Sequence, residues 1–120
     1  LDSLGWAYYK IALRDNDVDA LSRAIEKLRA AAQQEQDAVI YDHLADALFV
    51  AGRWEEAQEW WMRAFKRARQ AADPLGVTAE EIKPKLDRVD ELLKAEGDTP
   101  AEPEQRRKRP LAPIDVQDAD

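Results

Sequence analysis

The chain has 120 residues, with 18 Lys and Arg against 25 Asp and Glu, a formal net charge of −7 and 45% hydrophobic residues. That length fits one modest domain, and the acidic balance excludes the basic footprint that nucleic-acid binding requires. No apolar run reaches the roughly 18 residues of a membrane-spanning helix, and the absence of cysteine excludes disulfides and thiolate metal sites.

No signal-peptide pattern opens the chain. Leu1 already belongs to an apolar pattern, so the chain reads as a piece of a longer polypeptide, with cytoplasm and periplasm both open. The first predicted helix runs over Leu1–Leu13, with Leu4, Tyr8 and Ile11 recurring on one face. A turn at Arg14-Asp15-Asn16-Asp17 offers several N-caps for a second helix, Val18–Gln34, striped by Leu21, Ala24, Ile25, Leu28 and Ala31. Asp37 caps a third helix, Ala38–Ala51, with Tyr41, Leu44, Leu48 and Ala51 facing inward, and Gly52 suits a left-handed C-terminal turn. The fourth helix, Trp54–Ala71, carries Ala57, Trp61, Ala64, Phe65 and Ala68, and Asp73-Pro74-Leu75-Gly76 is a turn signal. Thr78-Ala79-Glu80-Glu81 matches a capping box for a fifth helix, with Ile82, Leu86, Val89 and Leu93 on its stripe and Gly97 at its end. Pro84 removes a backbone donor inside that pattern, which predicts a bend or a loose first turn. No alternating strand pattern competes, so the fold class is all-α.

Residues 98–120 differ in kind. Four of the six prolines fall there, and Leu111, Ile114 and Val116 are its only large apolar side chains. Such a segment cannot offset its own ordering entropy. It reads as an extended tail that orders only if something holds it.

The helices repeat. Leu4-Gly5 and Tyr8 match Leu44-Ala45 and Leu48 at an offset of 40, whereas Ala24, Leu28 and Ala31 match Ala57, Trp61 and Ala64 at an offset of 33. The difference places seven extra residues in the first unit's internal turn, around Leu13–Asp19. In the second unit, small residues (Ala45, Ala57, Ala64) face large ones (Leu44, Leu48, Trp61) across a turn at Gly52, as closely packed helical hairpins need. The series Tyr41, Leu44-Ala45, Leu48, Gly52, Trp54, Ala57, Trp61, Ala64-Phe65 resembles the tetratricopeptide repeat (TPR), and its flavour is similar to the last repeats of bacterial TPR proteins. The resemblance covers residues 1–71. The first unit departs from the pattern, with Ala12 in place of the turn glycine. The resemblance implies a first repeat at 1–35, a second at 36–72 and a closing helix at 78–96, together forming a 1–97 domain ahead of a Pro-rich charged tail at 98–120.

A TPR array presents the first helix of each repeat to a concave groove. Carried over by position, the groove residues are Asp2, Trp6, Tyr9 and Lys10 from the first unit and Asp42, Asp46, Phe49 and Val50 from the second. The resemblance therefore implies a protein-interaction module with an aromatic, acidic groove suited to a basic or amphipathic peptide of a protein partner. In this reading Trp6, Tyr9 and Phe49 are anchors, and Asp42 and Asp46 read charge. The tail itself offers a ligand: the run Arg106, Arg107, Lys108 and Arg109, then Leu111 and Ile114 stiffened by prolines, tethered at high effective concentration. Two alternatives stand beside this. The segment is a structural cap of a longer solenoid without its own ligand, or it self-associates through its open N-terminal face.

Catalysis, cofactors and metals find no support in the residues. His43 is the single histidine, Ser3 and Ser22 are the only serines, and no strained nucleophile turn is present. His43 with Asp42 and Asp46 lacks further ligands at metal spacing, and no Gly-rich loop precedes a helix. The chain is expected not to be an enzyme.

Overall fold

A computed structural model describes residues 2–71 and 75–116; the side chain of Asp2, the Asp73-Pro74 part of the expected turn and the last four residues lie outside the described residues. Six helices and no strand occur among the described residues: α1 Asp2–Asp15, α2 Val18–Gln34, α3 Ala38–Val50, α4 Trp54–Gln70, α5 Ala79–Glu96 and α6 Pro103–Arg106. The first five pack in chain order, α1 on α2, α2 on α3, α3 on α4 and α4 on α5. Within each hairpin the pairing is antiparallel. Trp54 Nε1 near the start of α4 donates to the Phe49 carbonyl near the end of α3, whereas Arg67 Nε near the end of α4 donates to the Gln36 carbonyl before α3.

The first connection corrects the expected seven-residue excess. α1 does not stop at Leu13 but runs to Asp15, leaving only Asn16 and Asp17 before α2. Asn16 takes a left-handed φ of 52°, and the Asp17 N–H donates to the Ala12 carbonyl at 3.0 Å. That is the helix-ending motif seen again after α3, where Gly52 has φ 85° and the Arg53 N–H reaches the Leu48 carbonyl at 2.9 Å. Asn, whose short side chain tolerates the left-handed region, replaces the glycine at this turn. Both hairpins thus turn alike, one on Asn16 and the other on Gly52.

Helix α1 also presents a different face from the one expected. Gly5, Tyr9 and Ala12 are buried, Tyr8 and Ile11 are half-buried, and Leu4 is 53% exposed. The cause is the approach of α2. A Cβ on Gly5 would lie 2.8 Å from Leu28 Cγ, so the bare glycine lets the fully buried Leu28 seat against α1. The core is completed by Leu21, Leu44, Leu48, Trp61, Ile82 and Val89, all fully buried.

Capping accounts for the other starts. Asp17 Oδ1 accepts from Ala20 N at 3.1 Å, Asp37 Oδ1 from Val39 N at 2.8 Å, and Thr78 Oγ1 from Glu81 N at 3.2 Å. Because Thr78 anchors the first turn, α5 is helical from Ala79 straight through Pro84, and the expected loose first turn is absent.

The tail is not simply extended. The Glu102 N–H donates to Gln105 Oε1 at 3.0 Å and the Gln105 N–H to the Glu102 carbonyl at 3.0 Å around Pro103, whose ring suits the first helical position, so α6 forms a single turn. Beyond it Leu111 and Ile114 are buried, and the Leu111 N–H donates to Asn16 Oδ1 at 2.9 Å. The residue that turns α1 into α2 therefore also holds the tail.

Candidate functional site

Helix α3 is apolar on most of its surface, so it is enclosed on several sides: six of its last seven residues are hydrophobic, and all seven are buried. The two carboxylates it carries are consequently desolvated and must find partners. Asp42 Oδ1 accepts from Trp61 Nε1 at 2.9 Å and from Lys85 Nζ at 3.0 Å, and Asp46 Oδ1 accepts from the same Lys85 Nζ at 3.0 Å. Burial and the neighbouring Asp42 push the Asp46 carboxyl up to about 7, opposed by Lys85. Burial lowers the Lys85 ammonium, but Asp46 and Asp42 more than offset that, and its pKa is raised. The expected charge readers Asp42 and Asp46 are therefore engaged within the fold by a lysine on α5.

The aromatic anchors divide. Trp6 is half-buried, stacking on Tyr9 with centroids 4.5 Å apart and on His43 at 3.7 Å. Tyr9 is buried, and its hydroxyl is pushed up by burial and then by Asp46 and Asp42. Phe49 is buried, stacks on Trp54 at 5.3 Å and tilts against Trp61 at 6.0 Å. Val50 is buried and Lys10 is exposed. Trp60, off the packing stripe, leans on Tyr41 at 5.3 Å with the Arg63 guanidinium over its ring.

Phe49 and Val50 meet the tail. With Trp54, Leu92 and the tail's Ala112 they line a cavity of about 140 Å³. Next to it lies the feature the sequence did not reveal, the seat of Arg106. Arg106 Nε donates to Glu96 Oε2 at 2.9 Å, Nη1 to the Gly52 carbonyl at 3.1 Å and to Glu55 Oε1 at 2.7 Å, and Nη2 to Glu55 Oε2 at 2.9 Å and Glu96 Oε1 at 2.7 Å. All five guanidinium N–H groups are used, in two bidentate carboxylate pairs and one carbonyl bond. The Trp54 ring covers the guanidinium at 4.9 Å. Hydrogen bonds from Arg106 hold both the Glu55 and the Glu96 carboxyls below the usual range, and those carboxylates raise Arg106 in turn.

Of the expected basic run, then, Arg106 is seated, Arg107 is half-buried, and Lys108 and Arg109 are exposed. The seat draws on the turn after α3 (Gly52), the start of α4 (Trp54, Glu55) and the end of α5 (Glu96). No local sequence pattern joins these, although Glu102-Pro103-x-Gln105 does mark the helical turn that presents Arg106. Among the described residues no group of three or more His, Cys, Asp or Glu is placed to hold a metal ion. Among the described residues no helix is long and apolar enough to cross a membrane.

No family model matches the chain, and no curated protein or solved structure shows significant similarity to it.

Proposed function

We propose that the chain is a TPR-like protein-interaction module whose groove face holds an extended, proline-containing peptide segment, with its own C-terminal segment occupying that face in cis. The seating of the tail against Phe49, Val50 and Trp54, with Leu111 and Ile114 buried, is the observation that carries this reading. Two successive antiparallel hairpins with like turns, followed by a further helix, support the TPR-like part of it. In this reading the acidic contribution comes from Glu55 and Glu96 rather than from Asp42 and Asp46, which share the Lys85 ammonium inside the fold.

The test is binding in trans. The full chain carrying Leu111→Ala and Ile114→Ala, which weakens its own tail, is titrated with a labelled peptide spanning 101–116. Saturable binding with NMR shifts at Phe49, Val50, Trp54 and Leu92 is expected, and weaker binding to the unmodified chain, whose tethered tail competes at about millimolar effective concentration. The burial of Tyr9 and Phe49 favours a second reading, a structural cap in which the tail is a fixed part of the core. Absence of those shifts would select it.

A further inference from the structure

The Arg106 seat is built for a guanidinium rather than for positive charge in general. A lysine ammonium has three donors and no plane, so it could not serve two bidentate carboxylates and a carbonyl together, nor lie flat under Trp54. The side chain of Arg106 is 3% exposed, against 59% for Glu55 and 16% for Glu96, so the pocket is closed around the guanidinium and open at one rim. The apolar seats follow at fixed distances along the tail, Leu111 five residues after Arg106 and Ile114 eight residues after it, and both are buried. The adjacent Arg107, Lys108 and Arg109 are not enclosed in this way.

We infer that the pocket formed by Glu55, Glu96, the Gly52 carbonyl and Trp54 is an arginine-reading site, and that the partner of the groove is a protein segment of the pattern Arg-x4-Leu-x2-Ile that takes the place of the tail. This rests on the interaction-module reading above and adds its specificity. Arginine is required at the first position, and the other three basic residues of the run are dispensable. The tail is then a resident competitor, and the affinity of a partner is lowered by the fraction of time the tail is seated. The Gly52 carbonyl enters the seat directly, so the turn that ends α3 serves both hairpin closure and ligand reading.

The experiment uses the full chain with Arg106→Ala as receptor, with Arg106→Gln as a second receptor should the first lose its helical circular dichroism. Three peptides spanning 101–116 are compared: the native sequence, one with lysine at the position of Arg106, and one with alanine at the positions of Arg107, Lys108 and Arg109. The native peptide and the triple-alanine peptide should bind within about threefold of each other, and the lysine peptide at least about tenfold more weakly, as expected for losing two charge-assisted hydrogen bonds. Ethylguanidinium, but not ethylammonium, should restore the protection of the Leu111 amide from hydrogen exchange in the Arg106→Ala chain. Equal binding of native and lysine peptides would overturn arginine reading and leave the groove reading intact. Binding of none would overturn the groove reading and this proposal with it. A concentration-dependent dimer of the unmodified chain, lost in Arg106→Ala, would make the occupant a second copy and overturn the partner assignment.

Discussion

The Lys85 side chain is largely buried beside two carboxylates that share its single ammonium group, and one positive charge cannot balance two buried negative ones. Burial and the adjacent Asp42 push the Asp46 carboxyl up to about 7 against an ordinary 3.8, so this site keeps a proton above the pH at which the unfolded chain releases it. Between those two values the folded chain carries a proton that the unfolded chain has released, so this group's stabilisation is full below about pH 4 and is lost as pH rises to neutrality. Glu55 and Glu96, held by Arg106, and Glu56 on α4, paired with Arg29 at 2.6 Å, act in the opposite sense. Their folded pKa values are depressed, so their contribution is present above roughly pH 4.5 and is lost as pH falls below it. Urea denaturation across pH should therefore show a stability maximum near pH 4.5–5, and Asp46→Asn should flatten the limb above it; an unchanged upper limb would place the proton on another group. Lys85→Met should cost about 3 kcal/mol at pH 7, because it leaves two buried carboxylates without a cation. Sequence reading found Asp42 and Asp46 on the right helix and missed this pairing, since Lys85 lies 39 residues beyond Asp46 and helical periodicity carries no information about which lysine folds back.

Helix ends carry more in this chain than helix middles do. The boundaries of α2 were legible because an Asp caps it and its stripe is regular, whereas the end of α1 was not, because Asn16 fills a role that sequence patterns assign to glycine. The same residue accepts a hydrogen bond from Leu111, and Asn16→Gly separates the two roles: the left-handed turn survives and only the tail bond is lost. Native-state hydrogen exchange should then show reduced protection confined to the Leu111 amide and its neighbours, at about 1 kcal/mol. Loss of protection in α1 instead would assign Asn16 to the turn alone. Gly52 and Gly97 offer a second comparison. Both have positive φ, but a Cβ at Gly52 would collide with the Pro103 carbonyl, whereas at Gly97 it meets open space. Gly97→Ala should cost only the backbone strain of φ 68° and ψ −141°, a region almost confined to glycine, about 2 kcal/mol. Gly52→Ala should cost more and should also detach α6, read as a change in Trp54 fluorescence. The one helical turn of the tail and the seats that hold it were not legible in the sequence, for a physical reason. Its composition cannot order it in isolation, and the groups that do order it, Asn16, Gly52, Glu55 and Glu96, come from four separate helix ends.

At the scale of the whole chain, the radius of gyration over Cα atoms is 13.8 Å and the longest extent is 37 Å. A compact chain of this length is expected at about 13.6 Å, which agrees with a tail seated against the helices over its described residues. Two kinds of interaction could hold it: the Arg106 seat and the burial of Leu111 and Ile114. They respond differently to salt. Arg106 is enclosed and weakly screened, while Arg107, Lys108 and Arg109 lie on or near the surface of a body with net charge −7, where a screening length of about 8 Å removes most of their attraction at physiological ionic strength. Small-angle scattering of the unmodified chain should therefore give the same compact profile in low and in high salt. Arg106→Ala leaves Glu55 and Glu96 facing each other across an empty seat, so their repulsion adds to the lost hydrogen bonds. A released segment of about 20 residues spans roughly 25 Å as a coil, and the maximum dimension of that variant should grow by a comparable amount. An unchanged profile for Arg106→Ala, with expansion only when Leu111 and Ile114 are also replaced, would make the apolar contacts the lock and reduce the arginine seat to a guide for register.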